Sequence, residues 1–408
     1  MSKKSSIERR DFLKLSSAAV VAGLSGKAVM GQDDPDPIVD AANKVGKLPR
    51  RKLGYSGREI SILLGAGGLE EKCTEAGILC GMNYWHKANR WARRKTPEVI
   101  LKNREAHYCQ VTVDRVGGNH RTGHFDEDEH VAYVKESLKQ TGLGYYDDMQ
   151  LHYGYHNAGE VKKDKSFVKA FERLKKQGLV KHLCLSQHGY ASGRSEIPGG
   201  QTAARVLTAV VEDGLYEHAQ FIYSYGADPE MDTFIEFAKK KGFGTIAMKT
   251  ARGIGRMKED REFMARFPGK TSPHHALCRW LTTATRLDAA VIRVKNLDQF
   301  VETYSGAGKK LRPVDALAIR MMTDEADQTA CRLCTLCQPH CPQQVPIADI
   351  LRFERYALDD HDWSRARHLY AELPTRASAC VGCETCIQYC PQNLAIPQQL
   401  ARVHALLS

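Results

Sequence analysis

The chain reads as α/β: a (β/α)8 TIM barrel followed by a small all-helical unit. Three observations carry that reading. Short apolar runs recur at residues 60–64, 79–85, 108–113, 148–152, 182–186, 219–223, 245–248 and 289–294. Between most of them lie segments whose apolar residues fall three and four apart, clearest at 130–140, 167–177, 231–241 and 273–283. Strand-length runs that alternate with helices demand parallel pairing, and eight such units close into a barrel. The third observation is the C-terminal stretch. Residues 346–374 are helical in period, with Ile350, Leu351, Phe353 and Tyr356 on one apolar face and Ala366, Leu369 and Tyr370 on another.

The elements follow in order from the N-terminus. Ser6-Ile7-Glu8-Arg9-Arg10-Asp11-Phe12-Leu13-Lys14 is a twin-arginine pattern. The mildly apolar residues 15–26 are built from Ala, Val, Ser and Gly and are too short for a stable transmembrane span. Residues 1–31 are therefore expected to be a twin-arginine signal read by the Tat export machinery, with cleavage after Gly31 and an extracytoplasmic, periplasmic destination. A basic, unstructured N-terminus and a retained anchor are the alternatives. Residues 32–51 are charged and contain proline, and read as a linker. The barrel is expected over 52–316 and the helical unit over 317–408.

Of the 408 residues, Lys and Arg exceed Asp and Glu to give a net charge of +11. No Lys/Arg run is interleaved with aromatics, so nucleic-acid binding is not indicated. A basic surface instead suits an anionic substrate or an acidic redox partner.

Eight of the 13 cysteines form two copies of one pattern. Cys331, Cys334, Cys337 and Cys341 precede Pro342, and Cys380, Cys383, Cys386 and Cys390 precede Pro391. C-x2-C-x2-C-x3-C-P is the run that holds 4Fe–4S clusters in two-cluster ferredoxins, the fourth cysteine serving the other cluster. One cluster is thus expected on Cys331, Cys334, Cys337 and Cys390, the other on Cys380, Cys383, Cys386 and Cys341. Zinc and disulfides are the rival uses of such thiols. Folded export and cytoplasmic cluster assembly are mutually consistent. The other five, Cys73, Cys80, Cys109, Cys184 and Cys278, read as small core residues.

Within the barrel, the residues from Arg51 through Leu53-Gly54-Tyr55-Ser56-Gly57-Arg58 to Ser61 resemble the opening of an aldo–keto reductase. So do Gly81-Met82-Asn83-Tyr84-Trp85, Met149-Gln150-Leu151-His152, Leu185-Ser186-Gln187-His188, Gln220 with Tyr223, and Ile246-Ala247-Met248-Lys249. With its C-terminal unit, the whole chain is similar to aldo–keto reductases fused to a dicluster ferredoxin-like domain. The resemblance implies a site at the C-terminal ends of the strands. It places the family's catalytic Asp at His86, its Tyr on or near Trp91, its Lys at Val113 and its His at His152. Only His152 matches, and an indole cannot act as a titrating acid. It also implies NADP(H) contacts at Ser186, Gln187, Gln220, Lys249, Arg293 and Lys295. Met248 stands where many members stack an aromatic, and the phosphate loop 292–296 has no glycine.

What replaces the family's set is polar. His86, Lys87, Asp114, Arg115 and His152 sit at strand ends, and His120, His124 and Asp126 lie in the following loop. Three readings stand. His86 or His152 acts as acid–base, with Lys87 as an electrostatic clamp on a small, anionic substrate. The histidines hold a metal. Or the group is a solvated polar cap. His274 and His275, at a helix start, read as exposed. The function expected is an exported oxidoreductase of the aldo–keto reductase type, whose clusters transfer electrons to or from an outside redox carrier. A scaffold with a dead barrel and a conventional NAD(P)H carbonyl reductase are the alternatives.

Overall fold

The structure, a computed structural model, describes residues 35–117, 123–163, 165–188, 202–227, 229–269 and 271–408. The segment read as an export signal and His120 lie outside the described residues.

Two short strands, β1 (Arg50–Lys52) and β2 (Glu59–Ser61), pair antiparallel as a hairpin. The barrel strands are β3 (Gly65–Ala66), β4 (Tyr84–His86), β5 (Tyr108–Val113), β6 (Tyr146–Leu151), β7 (Val180–Gln187), β8 (His218–Ile222), β9 (Gly244–Met248) and β10 (Ala289–Ala290). They pair parallel in chain order. A parallel bridge between Leu63 and Ala290 joins the two ends, with the Leu64 amide donating to Ala290 at 3.1 Å. Parallel strands are covered on both faces, which is why they read as unbroken apolar runs. Every residue of β6 and of β9 is buried.

Two of the expected runs are divided. In 60–64, Ile60 belongs to the hairpin and Leu63 begins the barrel. In 79–85, Leu79 ends the helix Glu71–Leu79 and pairing starts only at Tyr84. The hairpin carries Arg58, whose guanidinium forms two 2.8 Å hydrogen bonds to the wholly buried Asp148 of β6.

The outer helices start and stop as their sequences dictate. Asp126 caps Glu127–Thr141 by accepting from the Glu129 amide at 2.9 Å, three acidic residues follow in the first turn, and Gly142 ends it in the left-handed conformation. Ser166–Lys176 buries Phe167, Val168, Ala170, Phe171 and Leu174 and turns its charged residues outward. The helix Pro273–Arg279 continues as a π-helical turn to Ala284. His274 and His275 are half-buried, not exposed; His275 pairs with Glu302 O and Arg279.

The C-terminal helices Ile347–Leu358, Trp363–Ala371 and Ile396–Leu407 have a core of their own, including Val345, Ile350, Phe353, Tyr370, Leu400 and Val403. The chain enters this unit through Pro313–Thr329, a helix that spans the boundary expected at 316 and lends Ala318, Met322 and Ala326 to the barrel's core. The tract 32–51 is also more than a linker. Its described part contains the helix Pro37–Val45, with Ala42 and Val45 in the barrel's apolar cluster. The five scattered cysteines are all buried, as expected of core residues. Among the described residues no helix is long and apolar enough to cross a membrane.

Candidate functional site: a cysteine module over the barrel mouth

The two cysteine loops are copies in backbone as well as in sequence. Leu333 and Thr335 adopt positive φ (61° and 69°), and so do their counterparts Gly382 (69°) and Glu384 (59°). Gln344 (53°) and Asn393 (52°) repeat the match after the fourth cysteine. The hydrogen bonds repeat too: Cys341 N–H to Gln338 O at 3.2 Å and Cys390 N–H to Ile387 O at 3.0 Å. Left-handed residues turn a short loop's amides and thiols inward, the shape a cluster-holding loop needs. His340 and Tyr389, each just before a fourth cysteine, stack at 3.4 Å across the pseudo-symmetry axis.

The thiols lie close to one another. Burial and the neighbouring Cys331, Cys334 and Cys390 push the Cys337 thiol up; burial and Cys341, Cys380 and Cys383 push Cys386 up to about 11. Burial and Cys334 push Cys331 up to about 12. Crowded thiols of this kind are unfavourable as thiolates unless a metal takes them. All eight are free of disulfides. The donor set therefore fits iron–sulfur clusters.

The two loops differ in cover. Residues 380–384 are exposed or half-buried, with Val381 and Cys383 facing solvent. The 331–337 loop lies against the barrel: Arg332, Leu333 and Cys334 line a cavity with Tyr223, Ser224 and Met231. Arg252, from the loop after β9, is buried, pairs with Asp327 at 2.8 Å and donates to the oxygen of Ala330 at 3.2 Å, directly before Cys331.

The same module covers the C-terminal mouth of the barrel. Arg352 lies over the Tyr153 ring at 5.6 Å, and Lys249 Nζ sits 5.6 Å from the Tyr356 ring. Arg256 binds Asp359 at 2.9 Å and Glu354 at 3.4 Å. This docking needs Gly255, where a Cβ would fall 2.5 Å from Asp359 Cα.

Beneath this cover three members of the expected polar group, Lys87, Asp114 and His152, come together. Lys87 Nζ is 3.2 Å from His152 Nε2, and His152 Nδ1 is 2.5 Å from Asp114 Oδ1. Lys249 Nζ is 3.2 Å from His188 Nδ1, and His188 stacks on Tyr153 and meets His152 edge to face at 5.1 Å. Lys87, Tyr153 and Lys249, each at the end of a strand, have φ of 53°, 65° and 55°. Left-handed backbone at a non-glycine residue costs about 1–3 kcal/mol and collects at functional sites. Asp114 remains exposed, so the mouth opens to solvent on that side.

Burial and the neighbouring cations shift the groups at the mouth. Burial, then Lys87, brings the His152 imidazole down to about 4; burial, then Lys87 and Arg90, brings His86 down to about 3. Both are neutral near pH 7. Burial and Arg90 bring the Lys87 amine down to about 7. Burial, Arg352 and Arg365 push Lys249 well down. Arg115 does not join the group: it binds Glu160 at 2.8 Å and Gly154 O at 3.1 Å. Among the described residues, the donors close enough to share a metal are Asp148, Cys184 and His218 inside the barrel, not His86, His124 and His152. Lys249, His188 and Arg352 are the members that sequence reasoning missed as a set, since Arg352 comes from another domain.

The positions matched to a nicotinamide are mostly engaged elsewhere. Gln187 accepts from Tyr155 N–H at 3.2 Å and donates to Tyr155 O at 2.9 Å. Gln220 accepts from Gln150 at 3.1 Å, and Ser186 accepts from Tyr153 N–H at 3.3 Å. Lys295 donates to Asp360 O at 2.6 Å, and Arg293 faces Asp360 and Asp362 at 3.6 and 3.8 Å. Trp91 is buried against Trp85 with ring centres 5.9 Å apart, a packing role.

Residues 330–396 match the 4Fe-4S dicluster domain family, so this segment holds iron–sulfur clusters. No curated protein matches the sequence. Among solved structures, the barrel is similar to the holo form of an aldo-keto reductase from Bacillus halodurans, at 16% identity and TM-score 0.50, covering 67% of this chain and 95% of that one. An aldo/keto reductase from Brucella melitensis aligns at 16% identity and TM-score 0.47 over 68% of this chain and 99% of that one. The first of these likenesses shows the fold: a (β/α)8 barrel like that of aldo-keto reductases, followed here by an iron–sulfur dicluster domain.

Proposed function

We propose that this protein is an iron–sulfur oxidoreductase whose barrel mouth binds a small organic anion and whose module holds two 4Fe–4S clusters. The clusters, when bound, supply one-electron transfer between an outside carrier and the mouth. The observation that carries the reading is the gathering of basic side chains under the module. Lys87, Lys249, Arg352 and Arg365 lie there, with Asp114, Asp349 and Asp360 as the nearby acidic groups. Burial and the neighbouring arginines hold Lys87 and Lys249 toward their neutral forms, and an anion bound there would restore their charge.

In this reading Lys87 holds the proton that the substrate takes or gives. His152, held by Asp114, orients the Lys87 amine through Nε2. Tyr153 and His188 form a flat wall, and the module excludes water from above. The exposed 380–384 loop faces the outside carrier, and the covered 331–337 loop faces the barrel. A scaffold with a dead barrel is disfavoured by the strained residues at the mouth, which a mere support has no reason to keep.

Free NADP(H) is not part of this proposal. The amides that would hold its carboxamide are paired within the barrel, and the cations that would meet its phosphate face the 359–362 turn. The N-terminal twin-arginine pattern, read from sequence, supports export of the folded, cluster-loaded protein. Titration with NADPH, combined with a carbonyl-reduction assay, tests the reading: weak binding and no steady turnover are expected.

A further inference from the structure

We infer that the barrel mouth and the module form one composite oxyanion site, in which Arg352 and Lys249 grip the ligand's carboxylate or phosphate group. This deepens the proposed function and rests on its reading of the mouth as the substrate site.

Four observations carry it. First, Arg352 is buried, and its Nε has no hydrogen-bond partner although its Nη2 pairs with Asp349. A guanidinium offers its donors as a planar fork, and an unused edge beside the mouth suits an incoming oxyanion. Second, His86 Nδ1, at the end of β4, is likewise buried without a partner. Third, Lys249 follows β9 on left-handed backbone and uses one donor on His188 Nδ1 at 3.2 Å. Fourth, Arg352 lies over Tyr153, which stacks on His188 at 4.1 Å, and His188 meets both Lys249 and His152. The anion-gripping pair and the Lys87–His152 pair are thus two ends of one wall.

The geometry assigns the ligand a chemical class. Its oxyanion group lies on Arg352 and Lys249, and its reacting oxygen lies toward Lys87 and His152. The module is then part of the binding site as well as the bearer of the cysteines.

The test uses the full-length, cluster-loaded protein under anaerobic conditions. Binding of malonate and of inorganic phosphate is measured by calorimetry for the wild type, Arg352→Gln, Lys249→Gln and the double variant Asp349→Asn/Arg352→Gln. The double variant removes both members of the buried pair, so that no lone carboxylate is left to unfold the module. Cluster absorbance confirms that each variant is intact. At least one probe is expected to bind the wild type, with Kd at least tenfold weaker in each variant. The preferred probe distinguishes a carboxylate from a phosphate ligand. No binding of either probe, or binding unchanged in intact Lys249→Gln and the double variant, would overturn the inference. The readout is independent of electron transfer. Anion binding lost in the variants with no redox activity in the wild type would therefore sink the proposed function and leave the composite site standing.

Discussion

At Lys87 two costs coincide: a left-handed backbone and an ammonium withdrawn from water. Its amine titrates at about 7 in the folded chain against 10.5 for a free lysine. Between those values the unfolded chain holds a proton that the folded chain has released, so stability rises with pH across that window. The rise attributable to this residue is at most about 1.4 kcal/mol per pH unit. Thermal unfolding measured from pH 6.5 to 9.5 should show it in the wild type and lose it in Lys87→Met. An identical pH dependence in the two proteins would mean that Lys87 is not held as described. The strand-end histidines and Lys87 were legible in the sequence, because a barrel strand's last residues point to one face. Their roles were not, because which group titrates depends on burial beneath a domain more than 200 residues away in the chain. Arg352 was invisible as a site residue for the same reason: its helix reads only as an apolar stripe.

At the scale of elements, the cysteine loops are the part most fully written in the sequence. Their spacing dictates which thiols meet, and the repeated left-handed residues follow from wrapping so short a loop around its contents. What the spacing does not encode is cover: one loop lies on the barrel and the other faces solvent. Replacing Cys337 with Ala should remove the cluster shared with Cys390. Iron should fall from about eight to about four atoms per chain, and the helical unit should melt earlier because its folding is coupled to its metal. Iron and sulfide analysis with far-ultraviolet circular dichroism checks this; zinc in place of iron would refute the assignment. The barrel's strands were legible as runs, except where one run serves two elements. Ile60 and Leu63 are both apolar, and only tertiary pairing separates hairpin from barrel. The helix Pro37–Val45 was hidden by its charged flanks, which read as linker, while its three buried residues were too few to stand out.

At the scale of the whole molecule, the two ends of the chain bear on one another. A protein that carries clusters assembled in the cytoplasm and acts outside it must cross folded. For the export proposed from the N-terminal pattern, Arg9 and Arg10 together should be required, and changing both to Lys should leave a folded, cluster-bearing protein in the cytoplasm. Cell fractionation with iron analysis reads this directly, and undiminished export of the double variant would refute it.

The central claim is that the barrel exchanges electrons through the clusters and not with free nicotinamide dinucleotide. The most direct test is an anaerobic calorimetric titration of the intact protein with NADPH, paired with a steady-state assay on aldehydes, ketones and sugars. The account predicts no binding tighter than about millimolar and no sustained turnover, because Gln187 and Gln220 are paired within the barrel and Lys295 is bound to the 359–362 turn. Micromolar binding of NADPH with turnover of roughly one per second or faster would contradict it and restore a conventional carbonyl reductase.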